Sequence, residues 1–111
     1  MKRFCALAVV AAACTPRTQL VPVRKPVAQE VYVGEKRCDV YDYVHATDLP
    51  DGAQNLGWVV VERAETDEET YLELRKKICE LGGDALSQLA WLTDPGQPEP
   101  TKLKANAWSL P

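Results

Sequence analysis

Four cysteines and one histidine, Cys5, Cys14, Cys38, Cys79 and His45, are the residues of this 111-residue chain whose chemistry at neutral pH is most open to choice. A closed zinc site takes four ligands, usually clustered as C-x2–4-C or H-x3–5-H, and this chain has a single histidine and no close pair of cysteines. No metal is expected, and His45, beside Ala46 and Thr47, reads as a solvated loop side chain. There is no G-x-S-x-G elbow, no glycine-rich phosphate loop and no C-x-x-C redox pair. Asp39, Asp42 and Asp51 flank strands and turns, where carboxylates normally form the wetted side. The expectation is a non-enzymatic chain without a cofactor. Two thiol chemistries remain, acylation at Cys14 and a disulfide between Cys38 and Cys79.

The acylation reading rests on the N-terminus. Lys2 and Arg3 precede the apolar run Phe4-Cys5-Ala6-Leu7-Ala8-Val9-Val10, and Ala11-Ala12-Ala13 lead to Cys14. The run is far short of the roughly 20 apolar residues of a permanent membrane span, so it reads as a signal peptide over residues 1–13. A peptidase cleft admits only small residues before its cut, and the cysteine after it supplies a thiol for diacylglycerol. The stretch resembles a bacterial lipobox, with Ala11 where Leu or Val is usual. The alternative is an ordinary secretory cut after Ala11-Ala12-Ala13 that leaves Cys14 as a free thiol. Lipidation would join the chain to a membrane, since each buried CH₂ contributes roughly 0.8 kcal/mol. The resemblance to sorted lipoproteins of Gram-negative cells, in which an Asp after the cysteine retains the protein in the inner membrane, implies through Thr15 the periplasmic face of the outer membrane, given a Gram-negative source.

Of the 13 basic residues, 11 remain once Lys2 and Arg3 are removed, against 16 acidic ones, a net charge of −5 that excludes nucleic acid as an expected partner. From Cys14 to Arg37, Pro16, Pro22 and Pro26 stand among polar and basic residues, which reads as a tether able to reach roughly 60 Å. Val31-Tyr32-Val33 before Gly34 is a possible short strand inside it.

The folded part is placed at residues 38–111. Cys38-Asp39-Val40-Tyr41-Asp42-Tyr43 alternates, with Cys38 and Val40 on one face and Tyr41 and Tyr43 on the other. Leu49-Pro50-Asp51-Gly52 is a turn, and Gly57-Trp58-Val59-Val60-Val61 a second strand. Thr66 with Glu69 three residues later forms a capping box, and Asp67, Glu68 and Glu69 suit the positive end of a helix dipole. Tyr71, Leu74, Ile78 and Leu81 form its apolar stripe, Leu72 and Cys79 flank it, and Gly82-Gly83 end it. A third strand through Asp84–Trp91, a loop at 94–100 and a last strand from Lys102 to Leu110 complete the order β-β-α-β-β. The expected fold is α+β in two layers, one helix on about four strands.

An exported chain meets an oxidising compartment, where Cys38 and Cys79 are expected to pair, bridging the first strand and the helix. Alternation sets Trp58 opposite Val59 and Trp108 opposite Ala107, so Tyr41, Tyr43, Trp58 and Trp108 fall on the face away from the helix. That face is either a partner surface or an inner face covered by the tether.

Val40-Tyr41, Leu49-Pro50-x-Gly52, Leu56-Gly57-x-Val59, Leu74-Arg75-Lys76-Lys77, Leu81-Gly82-Gly83-Asp84-Ala85 and the last strand with Ala105 and Ala107 together resemble the YbjQ/RcsF-like group of small envelope proteins. The resemblance covers about Val40 to Leu110. It implies a four-stranded sheet with one helix, no catalytic residues and, for its envelope-stress sensor branch, outer-membrane or periplasmic protein partners. That branch builds two interleaved disulfides from four cysteines, where this domain has Cys38 and Cys79 alone. Metal or small-ligand binding is the alternative function.

Overall fold

The computed structural model describes residues 26 to 111; the expected signal peptide, Cys14 and the first part of the tether lie outside the described residues. Five strands and one long helix follow in order: β1 (Val27–Val33), β2 (Lys36–Asp42), β3 (Gln54–Glu62), α1 (Asp67–Glu80), β4 (Ala85–Leu92) and β5 (Lys102–Ser109), with a short 3-10 turn at Ala46–Asp48 before β3. The strands form one sheet in the order β1-β2-β4-β5-β3, in which β2 and β4 run parallel and the other neighbours antiparallel. No helix among the described residues is long and apolar enough to cross a membrane.

The α+β class holds, but the sheet has five strands instead of about four, and the order is β-β-β-α-β-β. The additional strand, β1, lies where the sequence suggested tether, so the ordered pairing begins at Val27 and not at Cys38. Its cause is local: Gly34-Glu35 is a two-residue hairpin loop, and Gly34 at φ +63° supplies the positive dihedral that such a turn needs at its first position. Val31 is the one fully buried residue of this edge strand, against Cys38 on β2.

The helix forms for the reasons read from its sequence. Thr66 sits in extended conformation and its Oγ1 accepts from the Glu69 backbone N–H at 3.1 Å, while three acidic residues occupy the first turn. The reciprocal bond from Glu69 is not formed. At the other end Gly82 N–H donates to Cys79 O at 3.0 Å and Gly83 N–H to Ile78 O at 2.9 Å, the paired bonds of a Schellman stop, with Gly82 at φ +85°. A Cβ on Gly83 would stand 2.8 Å from the Ile78 Cγ2, so the chain can turn under the helix only as glycine.

The helix lies on one face of the sheet. Leu74 and Ile78 meet Val40, Val59, Leu86, Leu103, Ala105 and Ala107, all buried, and the two alanines on β5 leave room for the helix side chains. Two stripe assignments change. Cys79, expected on the shoulder, is fully buried, and Leu81, expected in the core, is 53% exposed because the helix ends at Glu80 and the cap turns Leu81 outward. Thr70 occupies a core position on the helix by donating its hydroxyl to Thr66 O and accepting from Ala64 N–H, both at 2.9 Å.

Candidate interaction surface on the open face of the sheet

The face opposite α1 has no second layer of described residues over it. Register places its side chains directly. Trp58 on β3 is paired with Asn106 on β5, Asn106 with Ser87 on β4, and Trp108 with Ala85 on β4, which is in turn paired with Tyr41 on β2. Directly opposed residues project to the same side, so Tyr41, Trp58 and Trp108 share the open face as alternation required. Tyr43 lies just past the end of β2; its N–H still donates to Leu86 O at 2.9 Å, two residues beyond the matching bond from Tyr41 to Asp84 O, and so it keeps the same parity.

Polar residues hold the middle of this face. Asn106 is 5% exposed although it points away from the helix, and its Nδ2 donates to Asn55 Oδ1 at 2.8 Å and to Gly57 O at 2.9 Å. Asn55 Oδ1 also accepts from Gly57 N–H at 2.8 Å, so the two amide side chains brace the backbone at the bulge between Asn55 and Gly57. Beside them the Trp108 indole reaches across β4 and donates from Nε1 to Ser87 Oγ at 2.9 Å, and Ser87 is fully buried. A second bulge follows between Ser87 and Ala90, with Gln88 at φ +56°.

The apolar part of the face lies at its β3 margin. Trp58 is 54% exposed and Val60 46%, and the Lys104 ammonium stands 4.6 Å from the Trp58 ring centroid as a cation on its face. Sequence reading missed Asn106, Asn55, Ser87, Val60 and Lys104. Strand alternation with Trp108 puts Asn106 and Lys104 on the outward side, but it holds no sign that an outward asparagine would be buried. The third tryptophan, Trp91, belongs to the helix side, where Tyr71 packs at 5.8 Å between ring centroids and Arg63 lies 5.6 Å from its ring.

Charge is arranged around the face in local pairs. On β1 and β2 Arg37 bridges Glu30 at 2.6 Å and Asp39 at 3.4 Å, and those carboxylates, Asp39 first, raise its already high pKa. At the far end Lys102 and Asp94 stand 2.9 Å apart; the hydrogen bond holds Asp94 below the usual carboxylate range and Lys102 above the usual ammonium range. On the helix side Arg75 pairs with Asp42 at 2.5 Å, where Arg75 Nε and Asp42 Oδ1 are buried without a hydrogen-bond partner among the described residues.

The two cysteines of the domain are joined. Cys38 on β2 and Cys79 on α1 form a disulfide with Cα atoms 6.0 Å apart, within the range a bridge requires. It floors an open depression of about 400 Å³ lined by Lys36, Asp39, Gly83 and Asp84. His45 is exposed at the start of the 3-10 turn and makes no capping hydrogen bond. Among the described residues no group of three or more His, Cys, Asp or Glu side chains is placed to hold a metal ion. Comparison with known proteins finds no matching family model, curated protein or solved structure.

Proposed function

We propose that this chain is a non-enzymatic protein of the bacterial envelope, anchored by a lipid on Cys14 at the periplasmic face of the outer membrane, that binds a protein partner through the open face of its sheet. The observation that carries the binding half is that face: Trp58 and Val60 exposed beside Lys104 at one margin, next to a centre made rigid by the Asn55–Asn106 and Trp108–Ser87 bonds. A large aromatic presented beside a fixed polar frame is the usual make-up of an interface hot spot. The anchoring half rests on the sequence around Cys14 and on the disulfide, which suits an exported chain. An envelope-stress-sensing role, through outer-membrane or periplasmic proteins, is supported by the resemblance of Val40 to Leu110 described above. The metal-binding alternative would need Cys38 and Cys79 as thiolates, and both sulfurs are taken up by their mutual bond.

Two measurements test this. Intact-mass analysis of the membrane fraction reads acylation at Cys14, and an unacylated chain removes the anchor. A photo-crosslinking residue at Trp58 in living cells is expected to give a discrete adduct with an envelope protein that the same residue at exposed Glu73 on α1 does not give. Identical patterns from both positions would remove the open face as the binding surface.

A further inference from the structure

The two edges of the sheet differ. Edge β1 follows Pro26 and carries Glu30 at its centre within the Glu30–Arg37–Asp39 charge cluster, the kind of feature that discourages strand addition. Edge β3 is nine residues long, contains no proline or lysine, and has Glu62 at its end as its single charge. That charge is paired across the sheet with Lys102.

The direction of the β3 backbone follows from two bonds. Asp84 N–H donates to Trp108 O at 3.0 Å, so the even-numbered residues of β5 turn their backbone groups toward β4 and the odd-numbered ones toward β3. Arg63 N–H donates to Thr101 O at 2.8 Å, which gives the same parity from the other end. The odd-numbered residues of β3, Val59 and Val61 among them, therefore bond to β5, and Trp58, Val60 and Glu62 present N–H and C=O to the free edge. The exposed side chains of the strand and its free backbone groups belong to the same residues.

We propose that β3 is a self-pairing edge: two copies of this chain join antiparallel along it, about a two-fold axis through Val59, into one continuous ten-stranded sheet. In that register Trp58 of each copy lies opposite Val60 of the other as a hydrogen-bonded pair, which satisfies all four of their outward backbone groups. The four side chains form one apolar cluster on the open face, an aromatic against a β-branched residue twice over. Val61 lies opposite Gly57, which has no side chain to clash, and Glu62 lies opposite Leu56, so no like charges meet across the axis. Shifting the axis to Val60 would set each Trp58 against Glu62, and the charge pattern therefore favours Val59. A second copy is the occupant because the strand is complementary to itself. This inference does not require the lipid anchor; it takes the Trp58–Val60 margin of the binding reading and makes a second copy of this chain its occupant.

Sedimentation equilibrium of the full chain in detergent is the test. Wild type is expected to reach a dimer as concentration rises. Val60→Pro deletes an N–H with no partner among the described residues, as edge strands tolerate, and is expected to weaken the dimer by roughly 10- to 100-fold, since the bond is lost twice. Val60→Lys keeps that N–H and places two charges in the apolar cluster; it is expected to be monomeric with an unchanged far-UV circular dichroism spectrum, which covers the case in which the proline variant does not fold. A mixture of Trp58→Cys and Val60→Cys chains is expected to crosslink through the paired positions. A wild-type chain that remains monomeric at about 100 µM, or a dimer as tight in Val60→Lys as in wild type, overturns the proposal.

Discussion

Opening the Cys38–Cys79 bridge is the perturbation with the largest expected effect on stability. The bond closes a stretch with a sequence separation of 41 residues. In the chain-entropy relation a loop of that length removes about 13 cal/mol/K from the unfolded ensemble, or about 4 kcal/mol at 25 °C. A domain of this size has roughly 5–10 kcal/mol of stability in total, so the bridge accounts for a large share. Cys38→Ser is the cleaner variant. Cys38 is half-buried, so the new hydroxyl can reach water, whereas Cys79→Ser would bury a hydroxyl among Val40, Leu74 and Ile78 at a further cost of about 1–3 kcal/mol. Urea unfolding followed by tryptophan fluorescence reads both. With a slope near about 1.5 kcal/mol/M, the Cys38→Ser midpoint is expected to fall by roughly 2.5 M, and wild type with reductant is expected to fall with it. The slope itself is expected to rise, because the open chain exposes more surface when it unfolds. A Cys38→Ser variant within about 1 kcal/mol of wild type would refute the assignment of the bridge as the main brace between sheet and helix.

Three further outcomes follow from named contacts. Asn106→Ala removes both Nδ2 bonds and leaves Asn55 Oδ1 with the Gly57 N–H alone; a loss of about 1–3 kcal/mol in urea midpoint measurements is expected, and a neutral result would show that water replaces the amide. Thr70→Val keeps the shape but strands Ala64 N–H at the helix entrance, which is expected to destabilise by about 1–3 kcal/mol and to speed amide exchange at Ala64. Asp94 is expected to titrate below 3.8 by carbon-detected NMR, and Lys102→Met to bring it back toward that value. Because the folded pKa is the lower one, the Asp94–Lys102 contribution is present above the unfolded carboxylate pKa and fades as pH falls through the folded value; equal acid sensitivity of wild type and Lys102→Met would contradict the pairing.

The helix was legible because its signals are local. Thr66, the acidic first turn and Gly82-Gly83 act within a few residues of where they stand, and the structure uses each of them. The same reading placed only the end of β1, as a short strand at Val31-Tyr32-Val33, because Val27 to Glu30 are exposed and carry no sustained apolar alternation. What makes it a strand is its partner: Gly34-Glu35 folds it onto β2, and a two-residue loop with glycine first was the available clue. Leu81 misled for the opposite reason, since its spacing from Ile78 fits the apolar stripe but the helix stops one residue earlier. The open face was legible in orientation, from alternation alone. Its burial was not: whether Asn106 or Ser87 is wet depends on where the rings of Trp108 and its neighbours lie across adjacent strands, which is a property of the assembled sheet.

A small domain whose described residues leave one sheet face without a covering layer must keep that face from becoming a general adhesive. Here the centre of the face is polar and already bonded, so an incoming apolar surface would gain little there and would face Asn106 and Ser87, whose hydrogen bonds are internal. The attraction is displaced to the β3 margin, where Trp58 and Val60 are exposed and the backbone is unpaired on one side among the described residues. Association at such a margin is directional, because a partner must satisfy backbone groups in register as well as cover the apolar pair. The β1 margin lacks this combination, with Glu30, Arg37 and Asp39 satisfying one another in a charged cluster. The sheet thus has one receptive edge and one refractory edge. A two-fold dimer closes on the receptive edge and leaves only the refractory ones outward, whereas β1-to-β3 addition would continue without end. The unequal chemistry of the two edges is therefore what allows an open five-stranded sheet to associate without forming fibres.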